Sequence, residues 1–326
     1  MDEFSFIQSI QPKFYRQSSL IKGIQDDAAV FRAPASDIVT AVDTMVEGVH
    51  FTKDTMAPYH VGHRVLAANI SDLAAMGSTP AYYLVSITIP SHWEEQELHD
   101  LYAGMDTLAA GYHMDLIGGD TVSGQELSVT VTVIGMVDKN KARYRSVAQP
   151  ADVVFVTGTL GDSRGGLEWL LKEGENPDKE TAFLVERHRM PLPRVSFAAG
   201  LSNLKRVALN DISDGIANEA NEIAEASDVD LIIDADYLPY SDALMHVYPD
   251  RYKEWMLSGG EDFELLGTVP EKDWERVQQT AEQLKLRITR VGSVTSKRQA
   301  EASVYLQEHG QRKRLEKSGY THLRSE

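Results

Sequence analysis

The chain has 326 residues, enough at about 150 residues per domain for two domains with a core each. Its 32 Lys and Arg against 49 Asp and Glu leave a net charge of −17, which repels nucleic acid and anionic membrane, so a polyanionic substrate would need metal cations or a local basic patch. Cysteine is absent, and with it disulfides, thiolate nucleophiles and Cys-ligated zinc or iron–sulfur centres. The first residues, Met1-Asp2-Glu3-Phe4, carry acid where a secretory signal needs base, and no apolar run reaches the roughly 18 to 20 residues that span a bilayer. The expectation is a cytoplasmic enzyme or binding protein with no nucleic-acid or membrane partner.

In chain order, Ile38 to Val42 reads as a buried strand and Pro58 to Met76 as a helix stopped by Gly77 and Pro80. Tyr82 to Ile89 is a strand, Glu94 to Tyr112 a helix, and Leu127 to Val137 alternates as a strand with no charged residue to guard an open edge. The polar stretch Lys139 to Pro150 is the boundary, giving domains 1–149 and 150–326. Beyond it come a strand at Asp152 to Thr157, a helix at Gly165 to Lys172, and two helices between Asp178 and Leu201. Strands at Val207 to Leu209, Leu231 to Ile233, Leu265 to Val269 and Ile288 to Val294 follow, with helices at Ile216 to Ala226 and Lys272 to Leu284 between them. The P-loop, G-x-G-x-x-G and HExxH patterns are all missing.

Aspartates stand instead at the ends of apolar strands or beside Gly pairs: Asp26-Asp27, Asp43, Asp120, Asp211, Asp214 and Glu261-Asp262. Strand ends in an α/β core share one edge, so these carboxylates can meet in space. Any one alone is more simply a helix cap or turn residue. Asp72 borders the arc of Val65, Leu66, Asn69, Leu73 and Met76 that forms the buried side of its helix, where a carboxylate must be paired or metal-bound. Hard oxygen donors without Cys or clustered His suit Mg²⁺, and Mg²⁺ suggests phosphate. The Gly118-Gly119-Asp120 and Gly259-Gly260-Glu261 segments read as loops whose amides could approach phosphate oxygens. Arg145 is either a phosphate-binding cation or a solvated surface charge.

The segments Gly23-Ile24-Gln25-Asp26-Asp27-Ala28-Ala29, Asp43-Thr44-Met45-Val46-Glu47-Gly48-Val49-His50-Phe51, Asn69-Ile70-Ser71-Asp72, Gly118-Gly119-Asp120-Thr121, Asp211-Ile212-Ser213-Asp214-Gly215 and Ser258-Gly259-Gly260-Glu261-Asp262-Phe263-Glu264-Leu265, with the terminal Gly319-Tyr320, resemble the thiamine-monophosphate kinase family of the aminoimidazole ribonucleotide synthetase-like superfamily. Gln25 and Val42 depart from that pattern, standing where Gly and a hydroxyl residue are usual. The resemblance implies a two-domain fold, an N-terminal α/β domain whose sheet pairs with its copy in a homodimer followed by an α+β domain, with ATP bound between the regions. It implies Mg²⁺-assisted, direct in-line phosphorylation of thiamine monophosphate by ATP. By the same resemblance Asp27, Asp43, Asp72, Asp120, Asp211 and Asp214 match ligands of several Mg²⁺ ions, and Asp43, Asp72, Asp120 and Asp211 carry the transfer. Gly119, Asp120, Arg145 and Ser213 match nucleotide contacts, and His50, Glu261 and Tyr320 match substrate contacts. An aminoimidazole ribonucleotide synthetase-like activity and a non-catalytic nucleotide-binding regulator are the alternatives. Selenophosphate synthetase and hydrogenase-maturation chemistry are disfavoured by the missing Cys.

Overall fold

In a computed structural model, residues 3–24, 28–32, 35–172 and 177–318 are described. The chain forms two compact units, Met1–Leu73 with Ser78–Ala142, and Ala74–Gly77 with Arg143–Glu326. The first runs through α1 (Glu3–Ile10), β1 (Leu20–Lys22), β2 (Val30–Phe31), β3 (Asp37–Val46), α2 (Pro58–Ala75), β4 (Thr79–Pro90), α3 (Glu95–Gly111), β5 (Asp115–Gly124) and β6 (Ser128–Val137). The second contains β7 (Asp152–Thr157), α4 (Asp162–Lys172), α5 (Lys179–Arg189), α6 (Val195–Gly200), β8 (Ala208–Asp211), α7 (Ile216–Ser227), β9 (Val229–Asp234), α8 (Asp242–Val247), α9 (Tyr252–Ser258), β10 (Leu265–Pro270), α10 (Trp274–Gln283), β11 (Ile288–Ser296), β12 (Val304–Glu308) and β13 (Gln311–Arg314).

The first unit holds a four-stranded sheet ordered β3-β6-β4-β5, antiparallel except for the parallel pair β4 and β5. Strand β6 shows why one face is covered: Val129, Val131 and Val133 are buried while Ser128, Thr130 and Thr132 between them are not. Leu73 of α2 packs over Gly135 on the covered side. On the other face, Leu20 of β1 and Phe31 of β2 pack against the end that carries Tyr82, Leu84 and Ile134. The end with Thr44, Ser86 and Asp120 stays exposed, as do Ile38, Val42 and Val122 on that face.

Three expectations change here. Strand β6 is flanked by β3 and β4 and is not an edge. The strand expected at Ile38 to Val42 continues to Val46, so Asp43 lies inside it. Gly118 to Asp120 lies within β5 and is not a loop, because those residues pair with β4 through Leu84, Val85 and Ser86.

The second unit is built on a seven-stranded sheet ordered β13-β12-β9-β11-β7-β10-β8. Central β7 is buried throughout, since Val154 and Val156 join α7 residues Ile216, Ala220 and Ile223 on one face while Val153 and Phe155 join Phe197 of α6 and Val277 of α10 on the other. Burial on both sides explains its unbroken apolar run, which fits no period-two pattern. The short strands β1, β2, β12 and β13 and the helices α1, α8 and α9 carried too little periodicity to be read from the sequence. The polar segment Lys313 to Ser318, which composition marks as a frayed tail, is instead tied down: β13 pairs with β12, and Leu315 is buried with its amide bonded to Val304.

Candidate active site

In the first unit, Asp43 is half-buried in β3, and its amide donates to Asn69 Oδ1 of α2 at 3.0 Å. The Asn69 side-chain amide donates in turn to the Val65 carbonyl at 2.8 Å, which fixes the rotamer that holds helix to strand. Asp72 follows one turn later and is the one residue between Val61 and Ala75 that is not buried. Burial raises the Asp43 carboxyl above the usual aspartate range, while the His50 charge opposes the rise, which puts these two side chains in one electrostatic neighbourhood. The Val46 amide donates to His50 Nδ1 at 3.0 Å. Nδ1 is thereby engaged within the turn, and Nε2 is the ring's other polar atom.

Asp120 stands apart from this group. It falls in the cross-strand row Thr44, Thr130, Ser86, Asp120, whereas Asp43 lies in the next row with Val131, Val85 and Gly119. Adjacent rows face opposite sides of a sheet, and three strand spacings separate the two backbones by about 14 Å. Two aspartate side chains do not bridge that distance through one ion. Gly119 has a packing reason of its own, since a Cβ there would sit 2.0 Å from the Val85 carbonyl oxygen.

In the second unit, two motif segments are laced together by backbone. Asp211 ends β8, and the Ile212 amide donates to the Glu264 carbonyl at 2.8 Å. The Phe263 amide donates to Ile212 at 2.9 Å and the Glu261 amide to Ser213 at 2.6 Å. Glu261 and Phe263 take φ of 67° and 51°, the left-handed region that non-glycine residues avoid, so this segment holds strain beside Ser213 and Asp214. Buried Glu219 of α7 accepts the Asp214 amide at 2.9 Å and fixes the turn from the other side. Burial holds its carboxyl well above the ordinary range, with the charges of Asp211 and Asp214 acting in the same direction.

Beneath the strained segment lies a buried charge network. Asp262 accepts the amides of Gly161 and Ser163 at 2.6 and 3.1 Å, at the start of α4. Glu264 accepts from Thr157 Oγ1 at 2.7 Å, Arg187 Nη2 at 2.8 Å and Arg194 Nε at 2.6 Å. Sequence reasoning missed Glu219, Arg187 and Arg194. The available signal for Glu219 was an acid inside the apolar stripe Ile216, Ala217, Ala220 and Ile223. Arg145, in a 3₁₀ turn at Arg145–Val147, is half-exposed and ion-paired with Glu222. Asp27 and Tyr320 lie outside the described residues.

Among the described residues, no three Asp, Glu or His side chains converge into a metal-binding group. The donors nonetheless suit Mg²⁺ in kind: they are hard oxygens, and Asp43 is partly desolvated. Magnesium is commonly held by one or two carboxylates, several waters and the phosphates of a substrate rather than by an all-protein cage.

Two family models match, the N-terminal domain of AIR synthase related protein over residues 25–137 and its C-terminal domain over 149–304. The chain is 48% identical to the thiamine-monophosphate kinase of Bacillus subtilis (strain 168) over 328 aligned positions, covering 99% of this chain and 100% of that protein. It belongs to the thiamine-monophosphate kinase family. Among solved structures, the family member from Stenotrophomonas maltophilia K279a superposes with a TM-score of 0.84 at 32% identity, covering 94% of this chain and 96% of that one. AaThiL complexed with AMPPCP and TMP gives a TM-score of 0.78 at 29% identity, covering 98% and 97%. These matches extend over both units, as the family's two-domain fold requires. No helix among the described residues is long and apolar enough to cross a membrane.

Proposed function

We propose that the chain transfers the γ-phosphoryl group of ATP to thiamine monophosphate. The identity of 48% to the Bacillus subtilis enzyme across nearly the whole chain carries this reading. An oxygen of the thiamine phosphate forms a bond to Pγ while the bond from Pγ to the β,γ-bridging oxygen breaks, giving thiamine diphosphate and ADP with no phosphoenzyme. The acceptor, whose second pKa is about 6, is already largely dianionic at neutral pH and needs no strong base. What opposes reaction is repulsion between two phosphates, and bound Mg²⁺ supplies neutralisation and alignment there.

Asp27, Asp43, Asp72, Asp120, Asp211 and Asp214 would hold the ions, with Asp43, Asp72, Asp120 and Asp211 aligning the transfer. The spread of Asp43 from Asp120 favours several ions over one. Gly119, Asp120, Ser213 and Arg145 serve the nucleotide, with Arg145 exchanging Glu222 for a phosphate oxygen. His50 offers Nε2 to thiamine monophosphate, while Glu261 and Tyr320 take its rings. Residues 1–149 act as the nucleotide, metal and dimerisation domain and 150–326 as the α+β domain. A second copy covers the open sheet face around Val42 and Val122, because an apolar and threonine-rich sheet face is unusual in water. The enzyme works in the cytoplasm, and its charge of −17 keeps it from nucleic acid and anionic membrane. The test is incubation of the purified protein with ATP, Mg²⁺ and thiamine monophosphate, followed by chromatography; folded protein that forms no thiamine diphosphate overturns the reading.

A further inference from the structure

We infer that Glu47 and Trp93 are positioning residues that aim His50 at thiamine monophosphate, an inference that rests on the substrate role proposed above for His50. The turn that carries His50 is closed on itself. Gly48 donates its amide to the Phe51 carbonyl at 2.8 Å, the His50 amide donates to Val46 at 2.9 Å, and the Val46 amide donates to the His50 ring at 3.0 Å. Gly48 has φ of 81° with open space where a Cβ would stand, so glycine is needed there for its backbone conformation and not for room. Such a turn fixes the ring relative to residues 46–51. It does not fix the turn relative to the rest of the unit.

Glu47 provides that second constraint. Its amide donates to the Leu127 carbonyl at 2.9 Å, and its carboxylate accepts the Leu127 amide at 3.3 Å, so the turn is pinned to the chain entering β6. The same carboxylate oxygen accepts the Trp93 indole N–H at 2.9 Å and faces His92 Nε2 at 3.2 Å, which pins it to the chain entering α3. Trp93 is buried and is itself held, because Lys53 Nζ lies 4.5 Å from its ring centre and pairs with Glu97 at 2.6 Å. Glu97 also accepts the Glu94 amide at 2.8 Å as part of the α3 capping box. A chain of contacts thus runs from the start of α3 through Lys53, Trp93 and Glu47 to the turn. The Glu47 carboxylate is committed to donors within the protein, which suits it to position His50 and not to touch substrate.

Steady-state kinetics of the full chain test this with Glu47→Ala, Glu47→Gln, Trp93→Phe, His50→Ala and the Glu47→Ala/His50→Ala double variant. Trp93→Phe removes the indole N–H while keeping most of the ring packing, so it reports on the bond without endangering the fold. Glu47→Ala and Trp93→Phe should raise KM for thiamine monophosphate by about 3- to 30-fold, below the roughly 100-fold that a 1 Å misplacement can bring. KM for ATP should stay within about twofold, and Glu47→Gln, which keeps an acceptor oxygen, should recover most of the loss. Because Glu47 acts through His50, adding Glu47→Ala to His50→Ala should change KM by less than about twofold. A full multiplicative effect in the double variant, or equal rises in both KM values, overturns the inference in favour of a general structural role. A raised KM in His50→Ala with no change in either Glu47→Ala or Trp93→Phe overturns the inference alone, whereas an unchanged KM in His50→Ala overturns the substrate role of His50 and the inference with it.

Discussion

Glu264→Gln is the substitution whose effect follows most directly from the structure. Glu264 is fully buried at the start of β10 and receives Thr157, Arg187 and two donors of Arg194. Burial alone would raise its carboxyl, but hydrogen bonds and charge from Arg194, then charge from Arg187, outweigh burial and hold it below the usual glutamate range. Glutamine keeps the shape and removes the charge, leaving two largely buried guanidinium groups without their shared counterion. Breaking a buried ion pair from one side costs about 3–5 kcal/mol. At about 2–4 °C per kcal/mol for a unit of this size, the melting temperature of the second unit should fall by about 6 to 20 °C. Tryptophan fluorescence can follow it, since Trp169, Trp255 and Trp274 lie in that unit. Thr157→Val removes a neutral donor to Glu264 together with the acceptor of the Leu265 amide, and should cost about 1–3 kcal/mol. A depressed carboxylate stabilises above its unfolded pKa and loses that effect as pH falls through its folded value, so the gap between wild type and Glu264→Gln should close below the ordinary glutamate value of 4.5. A shift under about 2 °C at neutral pH would refute the charge argument.

Asp72→Asn and Asp120→Asn should each keep the melting temperature and lose most turnover at low Mg²⁺, since Asn keeps shape but not charge; near-wild-type rates in both would rule out the metal role. Buried His63 is held down to about 4 by burial, then by the charges of His60 and Arg64, so the unfolded chain takes up a proton first and stability should fall as pH drops from 6.5 toward 4. His63→Gln should flatten this slope in urea unfolding between pH 7 and 5, and an unchanged slope contradicts it. Val42→Lys on the exposed face of β3 should convert a dimer to a monomer by light scattering at micromolar concentration; wild type that is already monomeric refutes the proposed interface.

Most elements were readable because their periodicity is a local property. The alternation Val129, Val131, Val133 and the continuous apolar run of β7 mark strands whatever lies around them. The same holds for the aspartate motifs, whose residue types survive in any list of segments, and for family membership, which rests on those short strings. Three-dimensional arrangement was a different matter. Asp43 and Asp120 look equivalent in the sequence, each beside an apolar run, yet the order β3-β6-β4-β5 sets them three strands and one face apart. Strand order comes from pairings between residues as distant as Asp37 and Val137, and no local pattern encodes them. The network under Glu261 was equally hidden. Arg187 in α5 and Arg194 just ahead of α6 drew no notice in the sequence, because only folding brings them against Glu264, 77 and 70 positions away, where exclusion of water makes the pairing compulsory. Composition and short-range pattern therefore determined which chemistry this chain holds, because residue type and period need no partner. Which carboxylates are neighbours, and what holds them in place, was decided only by tertiary structure, because burial and charge pairing exist only between segments that folding has brought together.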